Sequence, residues 1–371
     1  MLVNCREVSH YDETPVLFRW VWRLESLELQ PFYRRTRRYP PVKIPEVNSK
    51  EFTNRCVGTI VGFAIGDALG MPAEFLTRDQ IRRYYGKTIT DFLRAHQGHA
   101  SDFLPSGSYT DDTQMMLATA ECLIECQKMD AARQGDALLS WYLNTVPHRT
   151  PMRANMRACK HLSTGRAWTK SGVFSGGCGA AVRMPPIGLF FCQSPEILIK
   201  AALDDCIITH TEPRARAAAV AVAYLIARLA QATEKCSPGD QVIETADRVA
   251  HIDEDMAALL RWVTQITHLP PEEALFEIGC SADALEAIPA ATYCFLKYPR
   301  QFHNAVLAAV NAGDAADSVG ALTGSFVGAL AGVEAIPQSL RRQVENADLL
   351  AAVGERLASL ASSAGAQSMA S

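Results

Sequence analysis

The sequence predicts an all-α protein, and three observations support this fold class. Apolar residues recur at spacings of three and four residues in five long segments, which is the period of a helix. The segments are DTQMMLATAECLIECQ, DALLSWYLNTV, EILIKAALDDCIIT, RARAAAVAVAYLIARLAQAT and DMAALLRWVTQIT. Turn sequences such as LPSGSY and CSPGD separate them. Segments with strand-like alternation are hard to find, so we expect helices almost throughout.

Composition limits the class of protein. The 371 residues suit one large domain or two ordinary ones and suffice for a full hydrophobic core. With 36 basic and 40 acidic side chains, a charge field directed at nucleic acid or a membrane surface is not expected. The 11 cysteines form no CxxC pair, which favours a reducing compartment. Since we see no basic segment followed by an apolar core at the N-terminus, we expect a cytoplasmic protein.

Three regions are predicted along the chain. Residues 1–50 contain PFYRRTRRYPPVKIPEV, whose prolines favour an extended conformation. This arm is either a solvated basic linker or a segment that docks on a partner. Its candidate anchors are Trp20, Trp22, Phe32, Tyr33 and Tyr39. Residues 51–360 form one helical domain, and the small, polar residues 361–371 are predicted to be a disordered tail.

Two ladders of glycines four residues apart predict tightly packed helices. The ladders are Gly58, Gly62, Gly66 and Gly70, and Gly320, Gly324, Gly328 and Gly332. Residues four apart share a helix face, and each glycine costs roughly 0.5–1 kcal/mol relative to alanine. We expect helices over 56–68 and 319–332 that approach another backbone through these faces, with each other as candidate partners. Coincidence in an alanine-rich chain is the alternative.

Acidic residues lie at the ends of both ladders. Asp67 and Glu74 follow the first, and Asp314 and Asp317 precede the second. Antiparallel packing of the two helices would therefore bring these acids together.

A third acidic segment, TDDT, begins at Thr110 before a strongly amphipathic helix. Helix capping explains one or two such residues, because Thr and Asp side chains accept hydrogen bonds from free amides. Four in a row also offer the oxygen ligands that Mg²⁺ and Ca²⁺ prefer. Since Asp317 and Ser318 repeat this chemistry before another helix, we expect a shared metal site.

Two weaker signals lie between these segments. The loop VFSGGCG contains Gly176, Gly177 and Gly179, and its amides suit a phosphate. It matches neither the GxxxxGK[ST] nor the GxGxxG spacing. His210, before a long helix, would more often be an ordinary histidine.

Five motifs taken in order resemble the ADP-ribosylglycohydrolase family, which includes the dinitrogenase-reductase-activating glycohydrolase. They are GFAIGDALGMPAEF, GSYTDDTQMM, GGCGAAVRMPPIGLF, THTEPRA and NAGDAADSVGALTGSFVGALAG, within residues 56–335. The resemblance implies a single compact, orthogonal all-α domain. It also implies two bound Mg²⁺ ions and release of ADP-ribose from modified proteins or small molecules.

The resemblance also assigns roles to residues of this chain. The implied metal ligands are Thr110, Asp111, Asp112, Asp317 and Ser318. The implied acid–base residues are Glu74 and Asp112, and the implied ADP-ribose contacts are Gly176, Gly177, Cys178, Gly179 and His210.

Two positions depart from the family pattern. Ala315 stands where the first metal-binding aspartate of the last motif is expected, so one carboxylate of the second metal site is missing. Asp314 would replace it only if the backbone were shifted. Cys178 stands where the family often has asparagine.

Three functions are consistent with these residues. The first is Mg²⁺-dependent removal of ADP-ribose from protein side chains, above all arginine, with O-linked ADP-ribose left open. Such a hydrolase would suit an immunity protein against an ADP-ribosyltransferase toxin. The second is inhibition of that toxin by binding through residues 1–50. The third is ADP-ribose binding without catalysis, which Ala315 and Cys178 would favour.

Overall fold

The computed structural model describes residues 49–368 and shows the predicted all-α architecture. The α-helices are α1 Ser49–Gly70, α2 Arg78–Tyr85, α3 Asp111–Cys126, α4 Ala131–Asn144, α5 Arg153–Ser163, α6 Pro185–Phe190, α7 Pro195–Cys206, α8 Pro213–Ala230, α9 Pro238–Val249, α10 Glu254–Gln265, α11 Pro271–Ile278, α12 Ala284–Lys297, α13 Phe302–Val310, α14 Ala316–Ala331, α15 Gln338–Gln343 and α16 Ala347–Ser368. Short 3₁₀ helices occupy Met71–Ala73, Trp168–Lys170, Cys178–Arg183 and Val333–Ala335. Two isolated β-bridges are the only β-structure within residues 49–368.

Helices α1 and α14 pack against each other, antiparallel, through their glycine faces, as the two ladders predict. The facing pairs are Gly58 with Gly328, Gly62 with Gly324, Gly66 with Gly320 and Gly70 with Ala316. A Cβ atom added to Gly62 would lie only 2.5 Å from the carbonyl oxygen of Gly324. The coincidence alternative is therefore wrong, because the two backbones approach too closely for side chains. Gly332 lies just past the helix and ends it with a positive φ of 76°.

The α1–α14 pair lies in the centre of the core. Every residue from Cys56 to Gly70 is buried, and α13 and α16 also pack on α1. The segment Ser49–Ala73 is long and apolar enough to cross a membrane, but its apolar window is entirely buried inside the protein. Helix α8, from Pro213 to Ala230, is likewise mostly buried. Both helices therefore belong to the core of this domain.

The two ends of the chain differ in what the structure shows. The predicted arm lies outside the described residues except for its last two, Ser49 and Lys50, which begin α1. Helix α16 extends to Ser368 and so overlaps residues 361–371, which the sequence predicts to be a tail.

Candidate metal and ADP-ribose site

The site forms where the C-terminal end of α1 meets the N-terminal ends of α3 and α14. Asp67, in the last turn of α1, accepts hydrogen bonds from the start of α3. Its Oδ1 accepts from the backbone amide of Thr110 at 2.9 Å. Its Oδ2 accepts from the amide of Thr113 at 3.0 Å and from the Thr113 hydroxyl at 2.6 Å. Asp67 therefore fixes the position of the TDDT turn relative to α1.

Thr110 caps α3, which leaves the two following aspartates for another use. The Thr110 hydroxyl accepts a hydrogen bond from the backbone amide of Asp112 at 3.3 Å, as the capping interpretation predicts. Asp111 and Asp112 are each 1% exposed. Asp111 Oδ2 and Asp112 Oδ1 are buried and have no hydrogen-bond partner. Capping therefore explains the threonine but not the pair of carboxylates.

The start of α14 supplies two more oxygen-bearing side chains to the same place. The Ser318 hydroxyl donates to Asp112 Oδ2 at 2.6 Å. The Thr110 hydroxyl lies 3.4 Å from Asp317 Oδ2 and donates to it. With Asp111 beside Asp112 and electrostatically linked to Asp317, the structure brings all five predicted metal ligands together.

Glu74 joins this cluster from the segment that follows α1. It is buried, and its Oε2 has no hydrogen-bond partner. Burial, followed by repulsion from Asp317 and Asp111, raises the pKa of Glu74 well above its usual range. His99 contacts the backbone of Glu74, because its Nε2 lies 3.2 Å from the Glu74 carbonyl oxygen.

The pKa values of the aspartates in the cluster are all raised, for the same two reasons. Burial raises the pKa of Asp111, and repulsion from Asp112 and Asp317 adds to it. Asp112 behaves likewise, with Asp317 as its strongest charged neighbour. Burial and the charge of Asp67 raise the pKa of Asp317 to about 7. Buried carboxylates that repel each other need protons or a cation to lie this close.

The oxygen set fits a hard divalent cation. Three buried carboxylate oxygens, on Glu74, Asp111 and Asp112, lack hydrogen-bond partners, and Mg²⁺ binds through carboxylate and hydroxyl oxygens. Within the described residues, no three His, Cys, Asp or Glu side chains by themselves form a group that could hold a metal ion. A metal site here therefore depends on the mixed set, in which Thr110 and Ser318 contribute hydroxyls.

Asp314 does not replace the carboxylate missing at Ala315. Asp314 is exposed and has a left-handed backbone, with φ of 56°. Its amide and carbonyl form hydrogen bonds with Leu76 O and Phe75 N, at 2.9 and 2.8 Å. Desolvation and the charge of Glu286 raise the pKa of the Asp314 carboxyl. The charged neighbour of Asp314 is therefore Glu286. The acidic-end prediction is thus confirmed for Asp317 but is wrong for Asp314.

The glycine-rich loop lies beside the acidic cluster at Cys178 and beside His210 at Gly177. The amide of Cys178 donates to Ala282 O at 2.9 Å, which anchors the loop to the segment before α12. A Cβ atom added to Gly177 would lie 3.8 Å from His210 Nε2. Burial, together with the charges of Asp112 and Asp317, raises the pKa of the Cys178 thiol well above its usual range. The loop therefore connects His210 with the acidic cluster.

The other two glycines of the loop approach side chains. Gly176 lies against the Arg214 side chain, and Gly179 lies against Asn155 and Met152. Asn155 is fully buried, its Oδ1 has no partner, and its Nδ2 lies 3.4 Å from Gly179 O. Sequence reasoning missed Asn155, because a single asparagine in an amphipathic helix carries no local signal. Asp67 has two sequence signals, its position at the end of the first glycine ladder and its place in GDALG.

Comparisons with known proteins agree with this fold. The family model of ADP-ribosylglycohydrolase matches residues 48–367. A protein of Archaeoglobus fulgidus is 35% identical over 275 residues, which is 73% of this chain and 85% of that protein. The ADP-ribosylarginine hydrolase Tri1 of Serratia proteamaculans is 28% identical over 331 residues, covering 86% of this chain and 82% of Tri1.

A solved structure titled ADP-ribosylglycohydrolase-related protein complex superimposes with a TM-score of 0.68 at 25% identity. The superposition covers 84% of this protein and 99% of the solved chain. The all-helical fold of this chain is thus shared with that protein. The chain belongs to the ADP-ribosylglycohydrolase family. Membership of this family supports removal of ADP-ribose as the activity of the chain.

Proposed function

We propose that this protein is a Mg²⁺-dependent hydrolase that removes ADP-ribose from modified arginine side chains of proteins. The observation that carries the proposal is the cluster of buried carboxylates with unpartnered oxygens at the joined ends of α1, α3 and α14. Thr110, Asp111, Asp112, Asp317 and Ser318 would hold the metal. A bound Mg²⁺ would orient ribose hydroxyls and stabilise negative charge on oxygen.

The acid–base chemistry falls to carboxylates of this chain. Cleavage at the anomeric carbon passes through an oxocarbenium-like transition state and needs a group that exchanges a proton with water or the leaving group. Burial and neighbouring charges raise the pKa of Glu74, so this side chain holds its proton closer to neutral pH than an exposed glutamate. Its unpartnered Oε2 is free to take part in that exchange. Asp112, with its free Oδ1, is the second candidate.

Arginine is the proposed linkage because a guanidinium leaving group suits an acidic site. The name of the Serratia relative, ADP-ribosylarginine hydrolase, supports the same choice. The glycine-rich loop and His210 are proposed to hold the ADP-ribose part of the substrate. Serine-linked ADP-ribose is the alternative that an experiment must separate.

The test is release of ADP-ribose from two purified proteins, one modified on arginine and one on serine, with Mg²⁺ or with a chelator. We expect Mg²⁺-dependent release from the arginine-linked protein. The double variant Asp111→Asn/Asp112→Asn is the matched control, because it keeps the side-chain sizes and removes two charges. Full release by that variant would refute the proposed chemistry, and release from serine alone would refute the linkage.

An immunity role against an ADP-ribosyltransferase toxin remains a further proposal. Removal of the toxin's modification would protect the host protein. Direct blocking of the toxin would involve residues 1–50, of which 1–48 lie outside the described residues. The cytoplasmic location stays a prediction from the sequence.

A further inference from the structure

His210 has one ring nitrogen in a hydrogen bond and one without a partner. The side chain is fully buried. Its Nδ1 lies 2.8 Å from the Thr209 hydroxyl. Its Nε2 has no hydrogen-bond partner and lies toward Gly177 of the glycine-rich loop. The direction of the Nδ1 hydrogen bond decides which nitrogen carries the proton, and therefore what Nε2 offers to a ligand.

The surroundings of Thr209 favour one direction. Its hydroxyl accepts a hydrogen bond from Arg183 Nη2 at 2.8 Å, because a guanidinium can only donate. The single hydroxyl proton then has two acceptors within reach, His210 Nδ1 at 2.8 Å and the Cys206 carbonyl oxygen at 3.5 Å. That carbonyl already accepts from the backbone amides of Thr209 at 3.0 Å and His210 at 2.8 Å. Nδ1 is the closer acceptor and the less occupied one, so this geometry favours a hydroxyl that donates to an unprotonated Nδ1.

The imidazole is also neutral. Burial, with a contribution from the Arg183 charge, lowers the pKa of His210 to about 3. A neutral ring that accepts at Nδ1 carries its proton on Nε2. Nε2 is then a buried donor without an acceptor, which costs free energy unless a ligand supplies one.

Several hydrogen bonds fix the position of Arg183, which in turn orients the Thr209 hydroxyl. The guanidinium is fully buried. Its Nε donates to Asp205 Oδ2 at 2.6 Å, and its Nη1 donates to Gly179 O at 3.0 Å. The same side chain therefore positions both the glycine-rich loop and the Thr209 hydroxyl. Asp205 compensates the buried charge, and the group as a whole connects α7 with the loop.

We propose that Arg183 and Thr209 are positioning residues that hold His210 as the neutral tautomer protonated on Nε2, and that Nε2–H donates to an oxygen of ADP-ribose. The ligand half of this inference rests on the proposed function, whereas the tautomer half does not. The acceptor is an oxygen of the diphosphate or of the ribose that carries the scissile bond.

The tautomer is measured in the ligand-free full chain by long-range ¹H–¹⁵N spectra with ¹⁵N-histidine. The chain has nine histidines, and His210→Gln assigns the signal of interest. We expect a protonated Nε2 and an unprotonated Nδ1 at neutral pH. Thr209→Ser retains the hydroxyl and should keep this pattern, whereas Thr209→Val should lose it. A proton on Nδ1 in the wild-type protein would overturn the inference, whatever the enzyme acts on.

Ligand binding is tested by calorimetry with ADP-ribose. Glutamine places its amide nitrogen close to the position of Nε2, so His210→Gln should keep most of the affinity. His210→Asn, whose amide matches Nδ1, and Thr209→Val should bind roughly 3- to 10-fold more weakly, the loss of one hydrogen bond. Equal affinity of the Gln and Asn variants would contradict an Nε2 donor.

A second ligand, ADP, locates the acceptor. If His210→Asn weakens ADP and ADP-ribose equally, the acceptor is a diphosphate oxygen. If only ADP-ribose is weakened, the acceptor is on the distal ribose. Failure of the wild-type protein to bind ADP-ribose, with the expected tautomer present, would refute the proposed function and the ligand half of this inference but not the tautomer.

Discussion

Asp67 determines where the TDDT turn lies, although it is not among the proposed metal ligands. It accepts three hydrogen bonds at the start of α3, two on Oδ2 and one on Oδ1. An asparagine has one carbonyl oxygen, so its NH₂ group would face at least one of these donors. This geometry makes Asp67 a positioning residue for Thr110 and the aspartates that follow it.

Asp67→Asn should destabilise the fold and weaken metal binding together. A buried donor left without its acceptor costs about 1–3 kcal/mol, and a displaced TDDT turn would move the metal ligands apart. Urea unfolding and Mg²⁺ titration measure the two effects. Thr113→Ser is the mild control, because serine keeps the hydroxyl that Asp67 accepts from at 2.6 Å. An Asp67→Asn variant with wild-type stability and Mg²⁺ affinity would rule this role out.

Ala315→Asp should raise activity. Ala315 is 6% exposed and directly precedes α14, at a position where the family resemblance predicts a metal-binding carboxylate. Since even outer partners of metal ligands change affinity by about 10–100-fold, we expect at least a tenfold gain in Mg²⁺-dependent ADP-ribose release. Ala315→Asn, with similar size and no charge, is the matched control. Equal activity of the Ala, Asn and Asp proteins would show that the ligands already present suffice.

The site residues differ in how far the sequence could predict them. Thr110, Asp111, Asp112, Asp317 and Ser318 stand in two short oxygen-rich segments, which is a local pattern. Asn155 contacts a segment far away in the chain, so no local pattern exposes it. Arg183 and Thr209 lie within the motifs GGCGAAVRMPPIGLF and THTEPRA, but the hydrogen bond that joins them is visible only in the structure.

At the scale of elements, the α1–α14 contact should reverse the usual effect of a glycine-to-alanine substitution on helix stability. Replacing glycine by alanine inside a helix normally stabilises by about 0.5–1 kcal/mol. At Gly62 the new Cβ would lie 2.5 Å from the carbonyl oxygen of Gly324. Neither backbone can move aside without separating the other glycine pairs along the contact.

Gly62→Ala should therefore destabilise the protein, by at least the roughly 1–3 kcal/mol that overpacking costs, and Gly62→Val should do so more severely. Gly239→Ala is the matched control, because Gly239 is also helical and a Cβ there would meet only the Ser237 hydroxyl at 3.6 Å. Chemical unfolding gives both free energies. If Gly62→Ala and Gly239→Ala had the same effect, close packing would not explain the ladder.

The elements themselves followed from the sequence where period and length were clear. The glycine period of four predicted the packing face of α1 and offered α14 as a candidate partner, whereas the antiparallel direction came from the structure. The turn at Gly313 and Asp314 was less accessible, because its position depends on backbone hydrogen bonds to Phe75 and Leu76. Backbone hydrogen bonds do not depend on which side chains are present. The sequence alone therefore could not predict whether the Asp314 carboxylate faces the metal site.

For the whole molecule, the site residues lie between Asp67 and Ser318, which predicts that the N-terminal arm is dispensable for hydrolysis. A protein lacking residues 1–45 should release ADP-ribose at a rate within about twofold of the full chain, since none of the proposed ligands is removed. The same protein should lose affinity for a transferase if the arm blocks that enzyme. Unchanged affinity would eliminate the blocking hypothesis and leave hydrolysis as the route to immunity.

Mg²⁺ should stabilise the whole fold, because its proposed ligands join α3 and α14 beside the end of α1. A cation that binds only the folded state adds about 2.7 kcal/mol at a concentration 100 times its Kd. For a chain of this size we expect a rise of several degrees in Tm, reversed by a chelator.

The double variant Asp111→Asn/Asp112→Asn should behave oppositely. Burial and repulsion from neighbouring carboxylates, Asp317 and Asp67 among them, raise the pKa of both aspartates in the metal-free protein, so ionised carboxylates there oppose folding. Without metal the variant should melt above the wild-type protein, and with Mg²⁺ the order should reverse, because only the wild-type protein gains from the cation. Differential scanning calorimetry under both conditions measures the crossing. A variant that melts below the wild type without metal, or gains as much from Mg²⁺, would show that these aspartates are not the ligands whose charges the cation neutralises.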